Sequence, residues 1–429
     1  MSSTLLRISS IIVLALSAEV AWSQSFGVES HNTTMPASGG MGGVSIARPQ
    51  DLTSALNANP ATLTQFRGTQ FTFSGAWAEA TLNLSQTAPL PLVGVQPFSG
   101  KSQALGVLAG NIGVTQSLEF LGLPATFGLG FITSAAGGAD FRQFPESAGT
   151  NSALSVLQST SGFGLNLTDR LALGAGVSMG TAIFDGPFAD IGGMTVDYAV
   201  RGVLGAEYAL DNCRNVGMYY QTKQVFTFDD AIRFQGPLNT SLDINMDLPE
   251  NLGFGIADSS LAGGRLLLAC DVLYKLWDEA ALFSSVYDNQ WVFQLGAQYN
   301  TGRLRLRSGY AYAENPLSDN PLGNVGGIVP PGGPPALRYT QGLLAITSPH
   351  RVSAGIGIAE VLPNLDLDMT VGGMLRNEAQ IGNFTTTNIE SYWFAFGLTW
   401  RYGECCASDG CSAFSLGDAT PAPSVVTEQ

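Results

Sequence analysis

Apolar side chains recur at every second position through most of this chain, and no segment after the N-terminus gathers enough consecutive apolar residues to cross a bilayer as a helix. Successive side chains of a strand point to opposite faces, so period two writes two different surfaces into each segment. The run Tyr392–Tyr402, YWFAFGLTWRY, shows this most clearly. One face carries Tyr392, Phe394, Phe396, Leu398, Trp400 and Tyr402, and the other carries Trp393, Ala395, Gly397, Thr399 and Arg401. An apolar face with aromatic residues at both ends, over about 11 residues, fits a strand that crosses a bilayer at a tilt between two interfacial girdles. The run RLRLRSGYAY repeats the habit: Arg303, Arg305 and Arg307 share one face, while Leu304, Leu306, Tyr310 and Tyr312 share the other. A soluble sandwich would turn those arginines to water; a barrel would turn them to its lumen and the leucines to lipid.

Composition decides between the two. Hydrophobic residues make up 45% of the 429 residues, charged residues only 12%, and 52 residues are glycine. A soluble domain carries about twice that charged fraction. The expectation is an all-β fold, a transmembrane antiparallel β-barrel of about 14 strands. Roughly 15 alternating segments run from Gln70–Ser85 to Tyr392–Tyr402, including Val216–Phe228 and Ile232–Met246, and bacterial single-chain barrels take even numbers. The surplus segment is expected before residue 170. Connections alternate in length. Leu167–Leu171, Ala209–Val216, Ser259–Gly264, Asn300–Gly302 and Pro363–Asn364 are short. Asp278–Asn289, Asn315–Pro349 and Asn377–Glu390 are long, and the long set is expected outside the cell. The stretch GGIVPPGGPP inside Asn315–Pro349 rules out a regular strand there.

The ends read differently. Residues 1–23 have the form of a signal peptide: Arg7, the short apolar run Ile11 to Ala18, and a small-x-small site at Ala21-Trp22-Ser23. Residues 24–67 show no alternation, and a lumen of this size is wider than wall side chains fill, so this segment is expected inside the barrel as a plug. The barrel itself is expected over 68–402. Residues 403–429 form a polar tail, expected to be disordered in the periplasm. The five cysteines, Cys213, Cys270, Cys405, Cys406 and Cys411, leave at least one unpaired within the chain, and their spacing fits no zinc pattern. No metal and no cofactor are expected.

At LNANPATL, Leu56–Leu63, the chain resembles the FadL-type outer-membrane transporters of long-chain fatty acids and other hydrophobic compounds. That family carries an Asn-Pro-Ala motif in its N-terminal hatch, and here it stands as Asn59, Pro60 and Ala61. The glycine-rich Ser38–Gly43 is similar to the hatch as well, and Leu248–Ala257, Ala269–Trp277, Leu295–Leu317 and His350–Ile358 resemble the family's consecutive C-terminal strands. The likeness covers roughly residues 25–402. It implies a 14-stranded monomeric barrel plugged by the hatch, with hydrophobic small molecules moving from an outer groove to an inner pocket and then sideways through the wall into outer-membrane lipid. It places a wall kink in the third strand, where Pro124, Gly128 and Gly130 are the available breakers. It also brings Phe26 near the pocket, as a contact to the ligand's alkyl chain or as an aromatic that anchors the plug. Arg303, Arg305 and Arg307 are the candidate partners of a ligand carboxylate, since arginine pairs with carboxylate bidentately; the competing reading is a lumen ladder paired with acids. The family's basic ligand residues find no clear match, with Lys101, Lys223 and Lys275 the only lysines.

Other classes fare worse. A membrane enzyme needs a nucleophile beside a base, and His31 and His350, the only histidines, have no neighbouring serine motif. A general porin, or a structural barrel, is the alternative reading; a porin would show a strongly charged constriction and no hatch. The net charge of −15 disfavours nucleic acid.

Overall fold

The structure is a computed structural model, and it describes residues 28–402 apart from residues 92, 186–193, 235–239 and 322–332. Signal-peptide residues 1–23, Phe26 and the tail 403–429 lie outside the described residues. The wall runs β1 (Thr69–Gln86), β2 (Val107–Phe120), β3 (Leu123–Asp140), β4 (Asn151–Asn166), β5 (Leu171–Asp185), β6 (Thr195–Ala209) and β7 (Arg214–Gln221). It continues with β8 (Glu250–Ser260), β9 (Leu266–Leu276), β10 (Gln290–Thr301), β11 (Leu304–Ala313), β12 (His350–Leu362), β13 (Leu365–Ile381) and β14 (Thr385–Tyr402). Each pairs antiparallel with its neighbours, and β1 pairs with β14 from Thr69–Tyr402 to Gln86–Thr385, so a closed 14-strand barrel results.

The alternation is visible as burial. On β14, Tyr392, Phe394 and Phe396 are exposed while Trp393, Ala395 and Gly397 are buried. Phe71, Phe73 and Trp77 of β1 line up with them across the seam, with ring pairs Phe71–Trp400, Phe73–Phe396 and Trp77–Tyr392. Exposed Leu, Val, Ile, Met and Phe side chains continue around the outer faces of the other strands. An exterior this apolar suits lipid and not water. Among the described residues no helix is long and apolar enough to cross a membrane.

Two expectations about the wall need correction. Val216–Phe228 and Ile232–Met246 are not two wall strands. The chain leaves the wall after Gln221, folds Gln224–Phe234 and Thr240–Leu248 into a separate hairpin, and rejoins at Glu250. The surplus segment therefore lies here and not before residue 170. The hairpin packs inside: Phe226, Phe228, Met246 and Leu248 are buried, and Phe228 stacks on Phe184 of β5 at 5.2 Å. A strand with one packed face has period two whether its partner is the wall or the lumen filling, so the pattern alone cannot separate them. Similarly, Asn377–Glu390 is not a long loop. β13 and β14 continue as paired strands to a tight connection at 382–384, with Ile381 opposite Thr385.

Long connections close one end of the lumen. Residues 277–289 meet residues 314–321 at a Tyr287–Leu317 bridge, and a helix, α1 (Gly333–Leu343), begins on Pro334 and Pro335. Proline suits a first helical turn, whose N–H groups have no helical acceptor. Trp277, Phe283, Tyr287 and Leu337 join the hairpin aromatics in one apolar cluster, which reaches Val28 and Ala135.

Residues 28–66 pack against the inward side chains of the wall. Nearly all are buried, and they touch strands from β1 round to β14. Inward glycines make room: a Cβ on Gly309 would stand 1.9 Å from the backbone nitrogen of Gly42, and one on Gly174 2.2 Å from that of Ala61. Asp271 of β9 accepts the N–H groups of Ser45 (2.6 Å) and Ile46 (3.0 Å).

Candidate functional site: a filled break in the barrel wall

The ladder between β2 and β3 stops partway along the two strands. Those two pair from Phe120–Leu123 up to Ile112–Phe131 and then separate. Beyond that point β2 stays with β1 through Val107, and β3 stays with β4 as far as Asp140. A register shift falls at Ser134, between Thr133 and Ala135, which bends the strand locally. Separated strands leave N–H and C=O groups without partners, and within a bilayer each is expensive. Here they are met in two ways. Asn111 Oδ1 accepts the Thr133 N–H at 3.1 Å, and the Thr133 hydroxyl donates to the Gly110 carbonyl at 3.2 Å. Further along, the N-terminal segment takes the place that β2 has left. Ser30 N–H donates to the Ser134 carbonyl at 2.9 Å, Ala136 N–H donates to the Val28 carbonyl at 3.0 Å, and Glu29 bridges Ala135.

The expected kink residues do something else. Pro124, Gly128 and Gly130 sit in continuous ladder opposite Glu119, Thr115 and Gly113. Gly128 and Gly130 accept Leu56 of the N-terminal segment, whose methyl groups would stand 3.0 and 3.1 Å from added Cβ atoms. The ladder ends at Ile112–Phe131, one residue past Gly130, and the bulge that follows falls at Ser134.

Small side chains line the lumen next to the break. Ala76 stands opposite both Ala109 and Ala395, and with Ala136 they form one buried cluster. Polar atoms border it: the Asn111 Nδ2, the Ser74 Oγ and the Trp393 Nε1 are buried with no hydrogen-bond partner. Unpaired donors in a buried site are unusual and mark a place worth testing for ligand contact.

Glu29 anchors the strip that fills the break. Its carboxylate accepts from Lys275 Nζ, from Arg201 Nη1 at 3.0 Å and from Asn251 Nδ2 at 3.1 Å. These residues come from β9, β6 and β8. Burial raises the Glu29 pKa, but Lys275 and Arg201 outweigh it and hold it at about 2. Burial, helped by Lys275, pushes His31 down to about 3 against an opposing pull from Glu29. Both shifts act in one direction. A docked state whose His31 titrates near 3 loses stability as pH falls below the free value of about 6.5, and Glu29 adds its loss as pH falls below about 4.5. Acidification from pH 7 to 4 should therefore loosen the strip, read as more frequent open-channel events in planar bilayers. His31→Gln should flatten the part of the response above pH 4.5; an unchanged response in that variant would refute the assignment.

The remaining candidates take structural positions. Asn59 is fully buried, donates to the Ile46 carbonyl (2.8 Å) and the Ala206 carbonyl (3.0 Å), and caps the 3-10 helix Pro60–Gln65 by accepting from Ala61 N–H. Asn59, Pro60 and Ala61 thus join the inner segment to β5 and β6. Arg303 is exposed and donates to the carbonyls of Ala359 and Glu360. Arg305 pairs with Asp366 at 3.0 Å and Arg307 with Asp368. Each reaches over β12 to β13, and the Arg307 pair passes over Gly357, where a Cβ would stand 2.5 Å from the Asp368 carboxylate. Asp366 also receives Arg401 at 2.6 Å. Cys270 is free and Cys213 is disulfide-bonded. Sequence reasoning missed Glu29, Arg201, Asn111 and Ser134. The one available signal was Lys275, a lysine in the lumen phase of a chain with only three.

No protein-family model and no curated protein matches the chain. Solved structures do. The Pseudomonas putida toluene transporter TodX superposes with a TM-score of 0.64 at 16% identity, over 86% of this chain and 98% of that one. A Pseudomonas aeruginosa FadL homologue gives 0.63 at 13% identity, over 90% and 100%. The Ralstonia pickettii toluene transporter TbuX gives 0.58 at 16% identity, over 87% and 100%. A closed 14-strand ring shared over this much of both chains makes the fold that of the FadL-type channels.

Proposed function

We propose that the protein is a passive outer-membrane transporter that takes up hydrophobic compounds and releases them sideways through the break between β2 and β3. The observation that carries this is the break itself, filled by residues 28–30 in place of wall strand. On this reading residues 1–23 are the signal peptide, 24–67 the hatch, and the long-loop end faces the cell exterior. The apolar cluster around Phe226, Trp277 and Tyr287 receives the compound. A hydrocarbon gains about 0.8 kcal/mol per CH₂ on leaving water, so an apolar lumen draws it in where a water-filled pore would not. A side exit then delivers it to lipid without a second passage through water. The likeness to structures described as toluene transporters and a FadL homologue supports hydrophobic cargo.

Cells carrying the protein should take up labelled toluene or palmitate faster than cells lacking it, with no change in the entry of sucrose. Faster sucrose entry without faster toluene or palmitate entry would replace this reading with a general porin.

A further inference from the structure

We propose that Glu29 fills the buried Arg201–Lys275 cation pair with the chain's own carboxylate, and so selects neutral apolar compounds over carboxylates of the same chain length. The inference rests on the transporter reading and names its ligand class. The two cations are 2% and 1% exposed at their side chains. All three nitrogens of Arg201 are engaged. Arg201 gives Nε to the Thr222 carbonyl (3.0 Å) and Nη2 to the Pro249 carbonyl (2.7 Å), which fixes the guanidinium on three sides. Lys275 Nζ also donates to Asn251 Oδ1 at 3.2 Å. Asn251 turns its own amide to Glu29, so both carboxylate oxygens are occupied.

Around this polar knot the lumen is apolar, with Val28, Phe184, Phe226, Leu248 and Trp277 buried beside it. A neutral hydrocarbon or ester has nothing there to compete for. A carboxylate does: it must lose its water, and the donors able to replace that water are held by Glu29. Glu29 is tethered, so it competes at an effective concentration in the millimolar range or above. The net charge of −15 further discourages an incoming anion.

The test compares laurate with methyl laurate by calorimetry on the refolded full chain. The wild type should bind the ester about tenfold or more tightly than the acid, the ratio of one lost charge-assisted hydrogen bond. Glu29→Gln keeps the shape and removes the negative charge that neutralises the cations. It should raise laurate affinity by about tenfold while leaving the ester within about twofold. Glu29→Gln/Lys275→Gln should lose that gain, which ties it to the cation and not to a loosened hatch. Equal binding of acid and ester by the wild type, or an equal rise for both in Glu29→Gln, would overturn the selectivity proposal and leave the transporter reading standing. Failure of any form to bind the ester would overturn both.

Discussion

Gly309→Val should turn the closed barrel into an ion-conducting pore. The added Cβ would stand 1.9 Å from the Gly42 nitrogen and 2.3 Å from the Met41 carbonyl carbon. Both are backbone atoms with no rotamer to change, so the inner segment must move or the strand must. The strand is held on both sides, with Gly309 opposite Gly296 on β10 and Ser353 on β12, and valine favours strand conformation. The inner segment is the weaker party. Its displacement takes Gly42 from Ser353 and loosens the Ser45–Asp271 contact. Gly202→Val is the matched control, because its Cβ would meet only Thr222, at an ordinary 3.8 Å. Planar-bilayer recordings should show discrete open-pore currents for Gly309→Val and near-baseline traces for Gly202→Val. Quiet recordings from a correctly folded Gly309→Val protein would mean that residues 28–66 do not seal the lumen.

Locking the strip to the wall should stop transport. Ser30 and Ser134 are hydrogen-bonded neighbours, N to O at 2.9 Å, across the short antiparallel contact. Facing residues in such a pair stand about 5.5 Å apart at Cα, within disulfide reach. Ser30→Cys/Ser134→Cys, made with Cys270→Ser to remove the free thiol of the described residues, holds residues 28–30 in the break without touching Glu29. Oxidised, it should lower uptake of labelled toluene to the background of cells lacking the protein; reductant should restore it. Transport at the unlocked rate by the oxidised form would remove the lateral exit from the mechanism.

Much of the wall was legible because one property sets it. Each strand must show lipid one face and the lumen the other, so Tyr392, Phe394 and Phe396 point outward and the Arg305–Arg307 pair inward as period two requires. The acids that meet those arginines, Asp366 and Asp368, also stand on the inner face, but pairing across β12 depended on Gly357 having no side chain in the way. What the sequence concealed was partnership. Nothing local separates the inner hairpin at Gln224–Leu248 from wall strand. Glu29 finds Arg201 and Lys275 far along the chain, at no spacing a motif records. The glycines of β3 serve as a seat for Leu56, and the bulge beyond the end of the ladder falls at Ser134, which carries no breaker signature.

The seam between β1 and β14 bears on how the molecule is made. The inner segment precedes every strand in the chain, and the ring is completed only by the final strand. Asp271, Asn59 and the inward glycines bind it to strands spread around the circumference, so it offers each arriving hairpin a surface to fold against. The pairing that closes the ring, Tyr402 against Thr69, therefore joins strands from opposite ends of the chain, both in contact with the inner segment.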